Sequence, residues 1–439
     1  MIFSVLATGI NVMPNINKII LYNALHKVLS LLFIIIGSTA LPHTLCAKEK
    51  YPPKWLFKSN FSECYRIPSL VSIGVNLIAV AERRHGTSES NPDQPSLAKK
   101  ENFNSKKCMD WGYIDLVMRR SVDGGRSWNE QTSIVRYSNF LQSPFNMALA
   151  GNPTLLETKG KLILLFNVTR SSGEYNGAKC STKQPPVTCG YYFSNQIWKI
   201  ESSNLGSTWT SPELVDISTP VTDMVRVGPG HGIVLSNGDL LVPGYPWLLK
   251  SSDGGITWRK AATTRNSPLR GGETAAVEIR PGHVWALLRP TKRTAIKNRS
   301  SYPFRLSASS FDFGDNYETI EVNKAFLSPL VQAGLTKYGD RIVASYPAAS
   351  AEQTEKGPDN ESIRDRRNLM LSISTDDAES WKRCDLTEGA AGYSDIAAMH
   401  GGLALIYEGN IDGTLKDDPR QGVIYRFVTD EFMATCISK

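Results

Sequence analysis

The octapeptide Ser121-Val-Asp123-Gly-Gly125-Arg-Ser-Trp128 recurs in this chain of 439 residues as Ser251-Ser-Asp253-Gly-Gly255-Ile-Thr-Trp258. At these offsets an Asp carboxylate accepts hydrogen bonds from N–H groups of its own turn, and Gly supplies a positive φ. The aromatic residue then restarts a strand. Each copy of Ser-x-Asp-x-Gly-x-x-Trp therefore predicts one hairpin turn.

Three weaker copies keep the same offsets with substitutions. Five copies, spaced roughly fifty to eighty residues apart, indicate a radial array of β-sheets, since fixed repeats of this kind are typical of propellers. The weaker copies are Ser202, Asn204, Gly206 and Trp209; Ser310, Asp312, Gly314 and Tyr317; and Ser374, Asp376, Ala378 and Trp381.

Short strand-like runs fill the chain from Trp55 onward, and no long amphipathic helix stands out. The sequence therefore predicts an all-β protein with one domain over residues 51–439. Two long polar segments, 85–108 and 351–364, interrupt the succession of strand-like runs. Long loops of this kind are usually functional lids or insertions. The clearest runs are Asn76 to Ala81, Tyr113 to Met118, Lys161 to Phe166 and Leu403 to Tyr407.

The composition excludes two classes of protein. With 41% hydrophobic and 21% charged residues, the chain can bury a large core and is not disordered. The net charge of +7 includes Lys18 and Lys27 of the N-terminal segment, so the remainder carries 7 − 2 = +5. That charge is mild and lacks dense Lys/Arg runs interleaved with aromatic residues, so we expect no nucleic-acid binding.

Residues 1–47 have the order of a secretory signal. Basic residues up to Lys27 precede an apolar run from Val28 to Ile36, and small residues follow. We therefore expect a signal peptide or signal anchor and a secreted, lumenal or periplasmic protein. Membrane contact is expected only through an uncleaved anchor, because the run is short for a spanning helix.

Seven cysteines fit an oxidising compartment. Cys180 and Cys189 bracket a short loop and are the best predicted pair, whereas pairing among the remaining cysteines stays open. A link from Cys64 to Cys436 would join the chain ends of a closed ring. No Cys-x-x-Cys or His-rich spacing predicts a metal site. The cysteines left open are Cys64, Cys108, Cys384 and Cys436.

The motif Tyr65-Arg66-Ile67-Pro68, together with the repeated turns, resembles the exo-α-sialidase (neuraminidase) family, whose turns of this kind are called Asp boxes. The resemblance runs from about Trp55 to nearly the end of the chain. It implies a six-bladed β-propeller that removes terminal sialic acids from glycans, with sialylated glycans as partners and no cofactor.

The resemblance assigns substrate-binding arginines. Arg66, Arg289 and Arg366 match the three that bind the carboxylate of sialic acid, a task suited to bidentate guanidinium groups. For the third position, Arg364 and Arg367 are rivals. Arg84 matches a further arginine on the same substrate, and its rival Arg83 should face the other way because side chains alternate along a strand.

The catalytic residues implied are Asp110 as acid/base, Tyr393 as nucleophile and Glu273 as the base that deprotonates Tyr393. A neutral phenol suits this substrate because a carboxylate nucleophile would be repelled by the substrate's own carboxylate; sialidases are the known tyrosine exception among glycosidases. Glu278 is the rival of Glu273. The implied activity is a retaining exo-α-sialidase acting through a tyrosyl-enzyme intermediate.

Two other functions remain open from the sequence. A trans-sialidase would share all of these residues and would differ in excluding water and binding an acceptor sugar. A non-catalytic glycan-binding propeller would need the turns but not the assembled catalytic set. His231, by contrast, is expected to be a hydrogen-bonded turn histidine.

Overall fold

A computed structural model of the protein describes residues 51–85, 108, 110, 113–140, 147–170, 196–215, 217, 225–291, 294, 303–349, 366–411 and 418–438. The expected signal sequence, the Cys180–Cys189 pair and most of the two long polar segments lie outside these residues. Pro53–Lys439 forms one compact unit. Within the described ranges no helix is long and apolar enough to cross a membrane.

Strands make up nearly all of the regular structure, and the runs predicted from the sequence fall within them except for Tyr113, which precedes β4. The first strands are β1 (Lys54–Lys58), β2 (Cys64–Ile73), β3 (Asn76–Arg84), β4 (Ile114–Ser121), β5 (Thr132–Val135), β6 (Met147–Thr158), β7 (Lys161–Arg170), β8 (Gln196–Ser202) and β9 (Glu213–Leu214). The next are β10 (Arg226–Val227), β11 (Gly230–His231), β12 (Ile233–Val234), β13 (Leu240–Val242), β14 (Gly244–Tyr245), β15 (Trp247–Ser251) and β16 (Arg259–Thr263).

The second half of the chain continues the pattern and ends in the short helix α1. Its elements are β17 (Gly271–Arg280), β18 (His283–Pro290), β19 (Phe304–Ser310), β20 (Thr319–Leu327), β21 (Gly334–Tyr338), β22 (Arg341–Ala348), β23 (Arg367–Ser374), β24 (Lys382–Asp385), β25 (Ala391–Met399), β26 (Gly402–Gly409), β27 (Gly422–Thr429) and α1 (Asp430–Ile437). Two 3-10 turns, Tyr137–Phe140 and Pro419–Gln421, accompany them.

The strands form antiparallel four-stranded sheets in the orders β12-β13-β15-β16, β17-β18-β19-β20, β21-β22-β23-β24 and β1-β27-β26-β25. A nine-stranded sheet holds two more antiparallel runs, β2-β3-β4-β5 and β6-β7-β8-β9. A single parallel pair, Ile114 with Leu149, joins these runs. β10 and β14 form a separate pair, and β11 lies beside β6.

The hydrophobic cores lie between successive sheets. Along β7, Leu162, Leu164 and Phe166 pack on β2–β4, whereas Ile163 and Leu165 pack on β13 and β15. Because a middle strand is covered on both faces, its sequence is a continuous apolar run rather than an alternating one.

The ring closes where the last sheet meets the first. Leu77 and Ala79 of β3 pack against Ala404 and Ile406 of β26. In addition, β1 pairs with β27, so the N-terminal strand completes the last sheet. The predicted all-β class and propeller arrangement are confirmed; the number of six blades stays a prediction.

The five repeated stretches, called here the Ser-Asp turns, form the same turn between the third and fourth strands of their sheets. In the first, Ser121 Oγ donates to Asp123 Oδ1 at 2.8 Å and accepts from Gly125 N at 2.8 Å. Asp123 Oδ1 also accepts from Ser127 N at 2.9 Å. The same bonds recur in the other four turns.

Gly125 shows why glycine occupies the fifth position of the first turn. Its φ is +82°, in the left-handed region that favours glycine. A Cβ placed there would lie 2.1 Å from the hydroxyl of Tyr425. That hydroxyl donates to Gly124 O at 3.0 Å, so β27 reaches across the ring closure to the first turn.

Two disulfides are present among the described cysteines: Cys64–Cys108 and Cys384–Cys436. The link from Cys64 to Cys436 that the sequence suggested is therefore wrong. Cys436 lies in α1, which packs against β24, the strand that contains Cys384. The pairing of β1 with β27 joins the chain ends instead.

Candidate active site

The strand register separates two edges of the ring. Cys64 lies opposite Arg84, and Arg84 lies opposite Ile114, so β2 begins where β3 ends and β4 begins. At the other end of the same strands, Leu77 lies opposite Ser121, the first residue of a Ser-Asp turn. We call these the site edge and the turn edge.

The predicted functional residues collect at the site edge. Arg66 is near the start of β2, Glu273 near the start of β17 and Tyr393 near the start of β25, while Arg84 and Arg289 are near the ends of β3 and β18. Asp110 and Arg366 come just before β4 and β23. The antiparallel path of each sheet thus brings residues from seven segments to one edge.

Arg66 is held by a buried carboxylate. Its Nε donates to Glu408 Oε1 at 3.0 Å and its Nη2 donates to Glu408 Oε2 at 3.2 Å, a bidentate pair. Burial lowers the pKa of Arg66, but Glu408 and Asp110 outweigh that effect and raise it above the ordinary value. The guanidinium is therefore a permanent cation in a fixed orientation.

The residue after Arg66 is strained. Ile67 has a φ of 55°, which is unusual for a β-branched residue, and the pairing of β2 with β3 shifts register there. Ile67 N donates to Glu408 Oε1 at 2.9 Å, and its side chain packs with Val331 and Tyr393. The motif around Arg66 is thus a bulge that brings Ile67 against the candidate nucleophile.

Arg84 and Arg83 face opposite sides of the blade. Arg84 Nε donates to Glu82 Oε2 at 2.7 Å, and its Nη1 donates to Asp110 Oδ1 at 2.7 Å. Arg83 instead donates to Asp115 at 2.6 Å. Arg84 is therefore the member of the pair that lines the site.

Asp110 lies between two cations. Its Oδ1 accepts from Arg84 and, at 3.2 Å, from Arg66 Nη1. Burial would raise the pKa of Asp110, but Arg84 and Arg66 outweigh it and hold the pKa well below its usual range. Its side chain is 61% exposed, so the carboxylate is accessible to a ligand.

Tyr393 and Glu273 form a direct hydrogen bond. Tyr393 OH donates to Glu273 Oε1 at 2.7 Å, and Arg289 Nη1 donates both to Glu273 Oε2 at 2.7 Å and to Tyr393 OH at 3.0 Å. Burial raises the pKa of Tyr393, Glu273 raises it further, and the nearby arginines offset this only in part. In the free protein the phenol is therefore neutral and needs a base.

The ring of Tyr393 lies between two further guanidinium groups. Arg66 Cζ is 5.4 Å and Arg366 Cζ is 5.1 Å from the ring centroid. Both distances are within the range of cation–π attraction. Together with Arg289, three guanidinium groups surround the phenol.

Arg366 differs from the other arginines of the site. Its Nη2 donates to Leu330 O at 3.1 Å, but its buried Nε has no hydrogen-bond partner among the described residues. Burial lowers its pKa, and Arg66 and Arg289 lower it further. A cation held beside other cations with an unused donor is suited to an anionic ligand. Its rival Arg367 is the first residue of β23, and Arg364 lies outside the described residues.

Three charged residues of the site were missed by sequence reasoning. The sequence gives no role to Glu408, which follows the Tyr393 segment on the neighbouring strand. Glu82 supports Arg84 and accepts from Asn152 N at 2.8 Å. Arg305 gave no signal in the sequence, because nothing in its neighbours shows that it is buried.

Arg305 lies beside Arg289, since Leu306 and Leu288 are paired on β19 and β18. It is 1% exposed, donates to Ser328 Oγ at 3.0 Å, and its Nε and Nη2 have no partner among the described residues. Burial lowers its pKa to about 9, and Arg289 lowers it while Glu273 raises it. It is a buried cation next to the Glu273–Tyr393 pair.

The remaining candidates, Glu278 and His231, are bonded to partners outside this cluster. Glu278 accepts from Ser236 N and Gly282 N at the turn edge, far along β17 from Glu273. His231 Nδ1 lies 2.7 Å from Asp395 Oδ1 and is a paired, largely buried histidine. Among the described residues, no three metal-ligating side chains come together.

Comparison with known proteins agrees with this geometry. The model of the BNR repeat-like domain family matches residues 109–406, more than half of the chain. A sialidase of Bacteroides fragilis is 22% identical over 68% of this chain, which spans 55% of that relative's length. Human sialidase-3 is 23% identical over 76% of this chain and 82% of the relative.

Solved structures give the same fold. A Hadza microbial sialidase superimposes with a TM-score of 0.60 at 19% identity, covering 84% of this chain and 66% of the other. Trypanosoma rangeli sialidase in complex with sialic acid gives a TM-score of 0.61 at 16% identity, covering 88% and 60%. The predicted resemblance to sialidases is confirmed: the chain belongs to the BNR repeat-like domain family and is similar to sialidases in sequence and in fold.

Proposed function

We propose that this protein is a retaining exo-α-sialidase that hydrolyses terminal sialic acids from glycoproteins, glycolipids or oligosaccharides. The observation that carries the proposal is the hydrogen bond of 2.7 Å from Tyr393 to Glu273, surrounded by the guanidinium groups of Arg66, Arg289 and Arg366. A binding module needs the cations but has no need for a buried phenol paired with a base.

The arginines explain the substrate class. Sialic acid has a carboxylate on its anomeric carbon, so a fixed negative charge lies beside the reacting centre. Arg366 has a free donor for that carboxylate, and Arg66 is held rigidly by Glu408. Such preorganised cations also stabilise a transition state without reorganising.

Tyr393 would attack the anomeric carbon while its proton passes to Glu273. The phenolate that develops lies 3.0 Å from Arg289, which stabilises the negative charge. A neutral nucleophile avoids repulsion by the substrate carboxylate. The result is a covalent tyrosyl-enzyme intermediate on the face opposite the leaving group.

Asp110 would act as the acid in the first step and the base in the second. In the free protein Arg84 and Arg66 hold its pKa low. A bound carboxylate next to Arg66 offsets that positive charge, so the pKa of Asp110 rises and the acid form becomes available. Asp110 then protonates the glycosidic oxygen, and later takes a proton from the water that attacks the intermediate as Tyr393 recovers its proton from Glu273.

Two further features of the proposal concern architecture and location. The two antiparallel runs joined at Ile114 and Leu149, added to the four separate sheets, support a propeller of six blades. Two disulfides among the described residues support an exported protein whose partners are extracellular or lumenal glycans.

Hydrolysis of a fluorogenic aryl sialoside by the full chain tests the activity. We expect wild type to be active, whereas Tyr393→Phe and Asp110→Ala should lose most turnover. Tyr425→Phe is the matched control, because Tyr425 is also a buried tyrosine but bonds to the turn edge. NMR detection of α-sialic acid as the first product tests retention.

An inactive wild type would overturn the proposed enzyme. An active Tyr393→Phe variant would overturn the nucleophile alone. Adding lactose as an acceptor separates hydrolase from transferase, since formation of sialyl-lactose in place of free sialic acid identifies a trans-sialidase.

A further inference from the structure

The disulfide Cys64–Cys108 lies directly behind two residues of the site. Cys64 comes two residues before Arg66, and Cys108 comes two residues before Asp110. Both cysteines are buried, at 0% and 2% exposure, and their Cα atoms are 5.2 Å apart. The bond closes a sequence separation of 44 residues.

Little else among the described contacts holds Asp110. Within the described ranges its carboxylate bonds only to Arg66 and Arg84, and its side chain is 61% exposed, so packing does not fix it. The peptide before it is held by Arg84, whose Nη1 donates to Cys108 O at 2.9 Å. After it, the scaffold resumes at Ile114, where β4 begins.

We propose that Cys64–Cys108 is a positioning element for Asp110, an inference that rests on the proposed acid/base role of Asp110. With the disulfide closed, the segment from Cys108 to Ile114 is fixed at both ends. With the disulfide open, its N-terminal end keeps the hydrogen bond from Arg84 to Cys108 O but loses its covalent link to β2. Each residue spans at most about 3.6 Å, and Asp110 is two residues from Cys108. While the disulfide is closed, Asp110 therefore lies within about 7 Å of a covalent link to β2.

Loss of this anchor has a chemical signature. An alkoxide leaving from a natural glycan needs protonation by an acid, whereas an aryl oxide leaves readily without it. A misplaced Asp110 should therefore slow natural glycosides much more than aryl sialosides. A general loss of folded protein would slow both substrates by the same factor.

The test compares Cys64→Ser/Cys108→Ser with Cys384→Ser/Cys436→Ser, each in the full chain. The second pair is a matched control because it joins β24 to α1, away from Asp110. For the first variant we expect kcat/KM on sialyl-lactose to fall about 10–100-fold, since a displacement of about 1 Å can cost that much. Its kcat/KM on an aryl sialoside should fall less than about threefold, because kcat/KM reports the first step and not the hydrolysis of the intermediate, in which Asp110 acts as base for both substrates.

The control variant should lose thermal stability while keeping the wild-type ratio of the two kcat/KM values. Equal losses on both substrates in the first variant, or no loss, would overturn the proposal. If the serine variant does not fold, Cys64→Val/Cys108→Ala keeps the buried site apolar and allows the same comparison.

Hydrogen exchange separates this inference from the proposed activity because it needs no turnover. We expect faster exchange in peptides covering residues 108–114 for the first variant and not for the control. Unchanged exchange there would overturn the anchoring role even if the enzyme is active. An inactive wild type with faster exchange in the variant would instead overturn the activity and keep the anchor.

Discussion

The two edges of the propeller satisfy their polar groups in opposite ways. At the turn edge, Ser121 and Asp123 find their partners within four residues along the chain. At the site edge, Arg66 meets Glu408 across 342 residues and Tyr393 meets Glu273 across 120. The carboxylates of the turns are therefore bonded locally, whereas the Arg66–Glu408 and Tyr393–Glu273 pairs exist only in the folded ring.

The carboxylates of the turns and the arginines of the site differ in how fully they are bonded, although buried donors without a partner in the described part of the chain occur at both edges, as at Trp128 Nε1 and Trp209 Nε1. The recurring Ser-Asp bonds satisfy the carboxamide or carboxylate of each turn internally. At the site edge, Arg366 Nε is buried without a partner in the described part of the chain. A donor left free in this way costs stability and is retained where a ligand fills it. The charged groups of the turns are thus satisfied within each turn, whereas Arg366 at the site edge is not fully bonded by the described residues.

The largest effect is expected for Glu408→Gln. This change leaves the buried Arg66 without its charge partner, which costs about 3–5 kcal/mol of unfolding free energy, and activity should fall with it. Asp376→Asn is the matched control at the turn edge, where Asn204 already occupies the equivalent position with the same bonds. Urea denaturation of both variants measures the difference, and equal stabilities would contradict the comparison.

Ser251→Ala removes the acceptor for Gly255 N and the donor to Asp253. Because a buried N–H loses its partner, we expect a loss of about 1–3 kcal/mol in unfolding free energy. The kcat on an aryl sialoside should stay at the wild-type value, since the turn lies away from the site. A fall in kcat at a temperature where the variant is fully folded would show that the two edges are coupled.

Arg305→Met should separate activity from stability at the site edge. Replacing an incompletely bonded buried cation by an apolar side chain is often neutral or stabilising. The phenolate of Tyr393 would lose a nearby positive charge, and we expect roughly tenfold lower kcat, or about 1.4 kcal/mol. Arg305→Lys keeps the charge and should recover most of the rate, whereas equal losses in both variants would exclude an electrostatic role.

The smallest effect concerns pH and the turn edge. The hydroxyl and N–H of Thr257 lower the pKa of Asp253 to about 2, below its ordinary value of about 3.9. Its contribution to stability is therefore present above about pH 4 and is lost as the pH falls toward about 2. The stability difference between wild type and Asp253→Asn should shrink over that range in urea melts. A difference that stays constant from pH 7 to pH 3 would contradict this linkage.

Much of the fold could be predicted because its signals are local. The Ser-Asp turns recur with fixed offsets, and runs such as that from Lys161 to Phe166 are long enough to identify strands. The disulfides could not be predicted, because pairing depends on which strand ends meet. Cys64 meets Cys108 only because β2 begins where the segment before β4 returns.

The candidate site could likewise be predicted only in part. Sequence motifs were enough to select Arg66, Asp110, Glu273 and Tyr393 as candidates. All four lie at the site edge. Arg305 and Glu408 could not be given roles, since their importance comes from burial and from partners on distant strands.

The sequence by itself determined the repeated turn, the β class and the kinds of side chain available for chemistry, because each depends on neighbours within a few residues. Only the tertiary structure decided which carboxylate meets which guanidinium. Those pairs form between strands that are far apart in sequence and become neighbours when β1 pairs with β27 and closes the ring. Charge interactions depend on distance and burial, and both are properties of the folded ring.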